Sequence, residues 1–217
     1  MRRPIRHYGD LPGSPPSVTS ILEAGFPKPA LMEWKIRTTA QLARDYPDEP
    51  INTLLAKHGP RGDVRGTAVH KLIELHLSGT PTEPDDSPAG VYYGQWRRWW
   101  GDQGFTVPGK TELVVCSDAP FYAGTADYLD EDGRLWDWKT ATNLPERPWL
   151  DHVAQLAAYE HAIGPGLIPN LVYISSTGVR HFEITEDERL RGAFAFSAAY
   201  DIASVLYPDE MGAQLCR

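Results

Sequence analysis

One stretch constrains the fold more than any other: FYAGTADYLDEDGRLWDWKT, residues 121 to 140. It reads as two strands joined by an acidic turn, with Asp132-Gly133 as the hairpin signal. Strand side chains alternate between faces, so Asp137 and Lys139 point one way and Trp136 and Trp138 the other. Asp127 and Asp137 can hold one divalent cation only from the same face of the sheet. A two-residue loop, Asp132-Gly133, would pair Asp127 with Trp138 and separate the carboxylates. A three-residue loop, Glu131-Asp132-Gly133, pairs Asp130 with Arg134 and sets Asp127 opposite Asp137; a five-residue loop, 130–134, keeps that register. The expectation is an odd loop with Gly133 at positive φ and the two aspartate Cβ atoms about 4.5–5.5 Å apart. Two carboxylates so placed suit Mg2+ or Mn2+, and a lysine two residues beyond one of them can stabilise charge developing on a phosphate. The bland alternative is an ordinary hairpin with a salt-bridged polar face.

Company decides between the two. GTAVHKLIE at 66–74 precedes the hairpin and QLAAY at 155–159 follows it. In order, G-x-x-x-H-x-x-x-E, G-T-x-D, D-x-K and Q-x-x-x-Y resemble the RecB-type branch of the PD-(D/E)XK nucleases, over residues 60 to 185. The likeness is greatest to the CRISPR-associated and phage-type single-domain exonucleases of that branch. The resemblance implies that His70 and the Trp138 carbonyl are metal ligands beside Asp127 and Asp137. It implies that Lys139 is catalytic and that Gln155 and Tyr159 bind the DNA strand. Glu74, one helical turn from His70, is either the partner that orients it or a surface ion-pair residue. Glu112 is a further acidic candidate whose strand face the sequence leaves open. Many CRISPR-associated relatives carry four cysteines for an iron–sulfur cluster; Cys116 and Cys216 alone cannot supply one, so none is expected.

The remainder is read by periodicity. Residues 7–20, rich in Gly, Pro and Ser, suggest an extended arm. Pro29 opens a helix with Leu31, Met32, Trp34, Ile36, Leu42 and Ala43 as its apolar stripe, and a shorter helix spans 51–58. A helix over 67–78 carries His70 and Glu74. YYGQWRRWW, 92–100, sets core aromatics beside Arg97 and Arg98, the better candidates for DNA contact. A strand is expected at 111–116, a helix from Pro148 to Ile163, and paired strands in NLVYISS and VRHFEIT. Thr185–Glu188 is a capping box for a last helix, with Phe194, Ala195, Ala198, Ile202 and Leu206 as its inner face.

With 217 residues, the chain suits one domain: an arm and helical cap over 1–60 and a nuclease core over 61–217. The fold class is α/β, a central mixed sheet of about five strands flanked by helices, like the core of restriction endonucleases, with a helical N-terminal cap. The formal net charge of −8 opposes a broad duplex-binding surface, although Arg2, Arg3 and Arg6, Arg61 and Arg65, and Arg97 and Arg98 form local positive groups. Neither a membrane-length apolar run nor a signal-peptide core is present, so a cytoplasmic location is expected. The expected function is Mg2+- or Mn2+-dependent hydrolysis of DNA, on single-stranded ends. A structure- or site-selective endonuclease and a catalytically silent DNA-binding module are the rivals.

Overall fold

Five runs of β-favouring residues form one sheet in chain order: β1 (Gly109–Asp118), β2 (Phe121–Asp130), β3 (Arg134–Thr140), β4 (Ile168–Ile174) and β5 (Val179–Glu183). The computed structural model describes residues 5–60, 62–105 and 108–211. Arg2, Arg3, Arg61 and Cys216 therefore lie outside the described residues. Neighbouring strands run antiparallel except β3 and β4, which are parallel along the whole of β3. A parallel pair needs a crossover, and the chain supplies one through a helix. The expected five-stranded mixed α/β sheet is present.

Helices cover both faces. On one side lie α1 (Val18–Gly25), α6 (Leu150–Ile163) and α7 (Glu186–Leu206), packed over Tyr122, Leu135, Leu171 and Tyr173. On the other lie α4 (Gly62–Leu77) and α5 (Pro88–Gln103). There α5 brings Trp96 and Trp100 against Trp136 and Trp138 of the central strand, with ring centroids 5.2–5.8 Å apart. The YYGQWRRWW aromatics are thus core, as the period-3.6 reading favoured. The chain ends in a short helix, α8 (Pro208–Met211). No helix among the described residues is long and apolar enough to cross a membrane.

The N-terminal region departs from expectation. Residues 7–20 do not form a free arm: Ser17 caps α1 by accepting from the Ser20 N–H at 3.2 Å, and Val18, Ile21 and Leu22 are buried in the main core. Ser17 also bridges β2 at Ala123. The helix that Pro29 opens does form, as α2 (Pro29–Asp45), and it pairs with α3 (Ile51–His58). Its stripe is not buried: Leu31, Met32, Trp34 and Ile36 are all exposed, so α2 and α3 stand outside the core. The last helix has the expected capping box but not the expected inner face. Gly192, Phe196, Ala199, Tyr200 and Ala203 face the core, while Phe194 and Ile202 face solvent.

Candidate active site

The site begins with the hairpin, and its loop is odd. Tyr128 pairs with Trp136 and Leu129 with Leu135, which leaves Glu131-Asp132-Gly133 as the turn, with Gly133 at φ +81°. A left-handed residue closes such a turn, and glycine adopts that conformation without Cβ strain. Asp130 fixes both ends. Its carboxylate accepts from the Arg134 N–H at 2.8 Å and the Trp136 indole N–H at 3.0 Å. The register therefore brings Asp127 level with Asp137, but the expected direct cross-strand pair is replaced by something else. The ladder stops at Tyr128–Trp136, and the Asp127 carboxylate accepts from the Trp138 backbone N–H at 2.7 Å.

The irregularity extends to β1. Pairing with β2 runs from Gly109–Asp130 to Asp118–Phe121 but skips Glu112 and Asp127. Glu112 sits at φ +49°, a conformation that is strained for a residue with a Cβ and that collects at functional sites. On β2, Ala126 packs in the α6–α7 core and Tyr128 in the aromatic core, so the alternation of faces slips at Asp127. Both acids leave the ladder at the same level and line one cleft of about 350 Å3 with Gly66, His70, Lys71 and Glu74. This settles the face of Glu112: it is on the site.

Helix α4 brings His70 to the same place. A Cβ on Gly66, one turn earlier, would lie 3.3 Å from Thr140 Oγ1, so glycine lets α4 approach the end of β3 closely. His70 Nδ1 then reaches Asp127 Oδ1 at 3.3 Å. Glu74 does not orient His70; it accepts from Lys71 Nζ at 2.8 Å, which is the surface ion-pair reading.

On β3, Asp137 is 1% exposed and is paired with Lys139. The hydrogen bond from Nζ runs to Oδ1 at 2.9 Å. Oδ2 is nearer, 2.7 Å from Nζ, yet lacks hydrogen-bond geometry to any donor. Lys139 is held from behind by Gln155 Oε1 at 3.1 Å, and the Gln155 amide donates to the Tyr159 hydroxyl at 2.8 Å. Tyr159 is 2% exposed. In this chain Q-x-x-x-Y is a line of polar contacts that fixes the lysine.

Gly124 of G-T-x-D makes room for that line, since a Cβ there would sit 2.3 Å from the Tyr159 ring. Gly124→Ala is accordingly expected to displace Tyr159 and cost about 1–3 kcal/mol in urea denaturation. An unchanged unfolding midpoint would count against the ring-on-glycine contact.

The charges tune one another. Burial is the largest influence on each. It pushes the Asp137 carboxyl up to about 6, with the Lys139 ammonium opposing and Asp127 adding to the rise. For Asp127, burial is outweighed by His70 and Lys139, and the carboxyl is held below its usual range. His70 and Lys139, both penalised by burial, are held above their ordinary values by the two aspartates.

Arg97 and Arg98 are not brought to this cleft. Arg97 forms an ion pair with Glu83, and Arg98 donates to Gln95 of its own helix at 3.3 Å. Trp138 contributes its backbone N–H to Asp127 and its ring to the aromatic core. Among the described residues no three His, Cys, Asp or Glu side chains are grouped as a ready-made metal cage; His70 and Asp127 form one pair and Asp137 is engaged by Lys139.

No family model matches the sequence, and no curated protein matches it. Among solved structures, the chain is similar to that of SSO0001, with a TM-score of 0.40 and 18% identity, covering 77% of this chain and 70% of that one. It is also similar to a protein from Eubacterium rectale described as "Putative exonuclease", with a TM-score of 0.50 and 12% identity, covering 70% of this chain and 72% of that one. At that identity the likeness is one of fold, and the chain shares its α/β architecture with a protein so described.

Proposed function

We propose that the chain is a divalent-metal-dependent deoxyribonuclease of the RecB-type PD-(D/E)XK branch, acting on the ends of single-stranded DNA. The observation that carries this reading is the convergence of His70 from α4, Asp127 from β2, and Asp137 and Lys139 from β3. The donor chemistry suits a hard or borderline cation: one imidazole and two carboxylates, of which Asp137 has a buried oxygen with no hydrogen bond of its own. Asp127, Asp137, His70 and the Trp138 carbonyl would hold it, the last two by the resemblance, and the imidazole shifts preference towards Mn2+. When bound, such an ion lowers the pKa of a water ligand and makes hydroxide available near neutral pH. Lys139, fixed by Gln155 and beyond it Tyr159, presents its ammonium to the charge that builds on the phosphate. Glu112 and Lys71 line the approach.

End-labelled linear and circular single strands incubated with Mg2+ or Mn2+ test the reading. Loss of the linear strand alone supports an exonuclease. Cutting of the circle points to the endonuclease, and no cutting in any metal to a binding module.

Metal affinity should depend on pH with a definite sign. Asp137 must be anionic to bind a cation, and its carboxyl titrates near 6. Mn2+ affinity measured by calorimetry is expected to fall as pH drops through neutrality, first as His70, held above its ordinary value, takes up a proton, and by a further factor of about ten per unit below 6 as Asp137 does. For folding the sign is opposite. A carboxyl raised in the folded state contributes stability below its ordinary value, and that contribution is lost as pH rises through about 6. Flat Mn2+ affinity from pH 5 to 7.5 would remove Asp137 from the ligand set.

A further inference from the structure

The outer face of α7 is a surface that the proposed reaction does not use. Leu190, Phe194, Ala198, Ile202 and Val205 recur at intervals of four, four, four and three residues, so they form one stripe along the helix. All five are exposed, Phe194 at 76% and Val205 at 80%. The inner face is already packed against α1 and α6, so the stripe is no part of the core. A contiguous apolar face of this length on a soluble surface marks an interaction site.

Two charges lie within the stripe, Arg191 and Asp201, opposite in sign and ten residues apart. Neither has an ion pair among the described residues. This pattern is self-complementary. Laid antiparallel on a second α7, the register that sets Arg191 against Asp201 of the partner subunit also sets Leu190 against its Ile202. The same register lays Phe194 on Ala198, a large side chain over a small one. Two-fold symmetry repeats every pair, so an ion pair closes each end of the Leu190–Ile202 seam, and Val205 falls beyond it, opposite Asp187 of the partner subunit. A groove of about 380 Å3 between α6 and α7, lined by Ala157, Leu190 and Ala193 together with the charged Glu160, Glu186 and Arg189, lies beside the seam. A copy of the same helix meets Arg191 and Asp201 each with its opposite.

We infer that the chain forms a two-fold dimer through antiparallel pairing of α7, in a register set by Arg191 and Asp201. The inference is independent of the nuclease reading, since none of these residues lies at the cleft. The test is the mass of the full chain in solution, measured by light scattering and sedimentation up to about 100 µM. Wild-type protein is expected to have twice the chain mass. Phe194→Glu and, separately, Val205→Asp are expected to be monomers with native circular dichroism, because both side chains stand clear of the core. Arg191→Asp and Asp201→Arg should each weaken the dimer by about tenfold or more, because two like-charge contacts replace two ion pairs. The double variant Arg191→Asp/Asp201→Arg restores opposite charges and should recover most of the loss. A monomeric wild type at every concentration, or a dimer indifferent to both Phe194→Glu and Val205→Asp, overturns the proposal. A double variant no tighter than the singles overturns the register.

Discussion

Asp137→Asn should yield a folded protein that no longer cleaves DNA. Asparagine keeps the size of the aspartate and one oxygen for Lys139, so the packing around this buried position survives. What goes is the charge. Groups one step removed from a metal ligand change activity by about 10–100-fold, so loss of a ligand should cost at least about 100-fold in Mn2+. Stability should change little, because two effects oppose. The substitution removes a carboxylate whose ionised form is disfavoured by burial, but it leaves Lys139 without its closest anion. Gln155 and the Asp127 charge remain to hold the ammonium. Cleavage of end-labelled strands, strand binding in Ca2+ and thermal melting together separate the outcomes. A variant that cuts at the wild-type rate excludes Asp137 from the chemistry, and one that melts many degrees lower makes the Asp137–Lys139 pair a structural feature.

The second large effect should be one of stability. Trp136 is fully buried, stacked on Trp138 at 5.6 Å and edge-on to Trp100 at 5.2 Å and Phe105 at 5.0 Å. Its indole N–H also satisfies Asp130, which in turn holds the hairpin turn through the Arg134 N–H. Trp136→Ala removes the ring and leaves one oxygen of a buried carboxylate without that donor. A cost of about 3–5 kcal/mol is expected, a large share of the 5–15 kcal/mol that typically separates folded from unfolded domains. Trp136→Phe should cost less, since most of the ring packing remains. Urea denaturation of the two variants reads both numbers. A loss below about 1 kcal/mol for alanine would mean that the aromatic layer closes over the gap.

The hairpin was legible because two independent requirements, a left-handed turn residue and two aspartates on one face, select the same register. Helix caps were legible for a similar reason: Thr185 and Glu188 can satisfy each other's backbone only at a helix start. The inner face of α7 was misread because close helix contacts at Gly192 and Ala199, which an apolar period does not reveal, fix the helix rotation. A Cβ on Gly192 would lie 2.9 Å from Val153, and one on Gly25 only 2.4 Å from Ala199, so the helices touch through their smallest residues. Phe194 and Ile202 lie on the side of the helix away from those contacts and are exposed, while Phe196 and Tyr200 pack inward beside them. Helix α1 was missed because the Pro–Gly–Ser run before it drew attention from Ser17, whose cap is followed by Val18, Ile21 and Leu22. Periodicity locates Arg97 and Arg98 on α5 but says nothing of Glu83, which pairs with Arg97 from the preceding loop. Glu112 was a candidate whose face the sequence left open, because a left-handed glutamate in a strand is visible only once the ladder is seen to skip it.

That skipped rung has a mechanical consequence. The strand bearing Asp137 and Lys139 is bonded along its full length to β4, whereas beyond Tyr128 its other edge is joined to β2 through the Asp127 carboxylate. The two halves of the site are therefore mounted differently. One rides on a stiff ribbon braced on the sheet interior, and the other on a hairpin arm whose joint is the level of Glu112 and Asp127. Any widening of the site to admit a ligand would bend at that joint, moving Asp127 and Glu112 together while Asp137 and Lys139 stay with the frame.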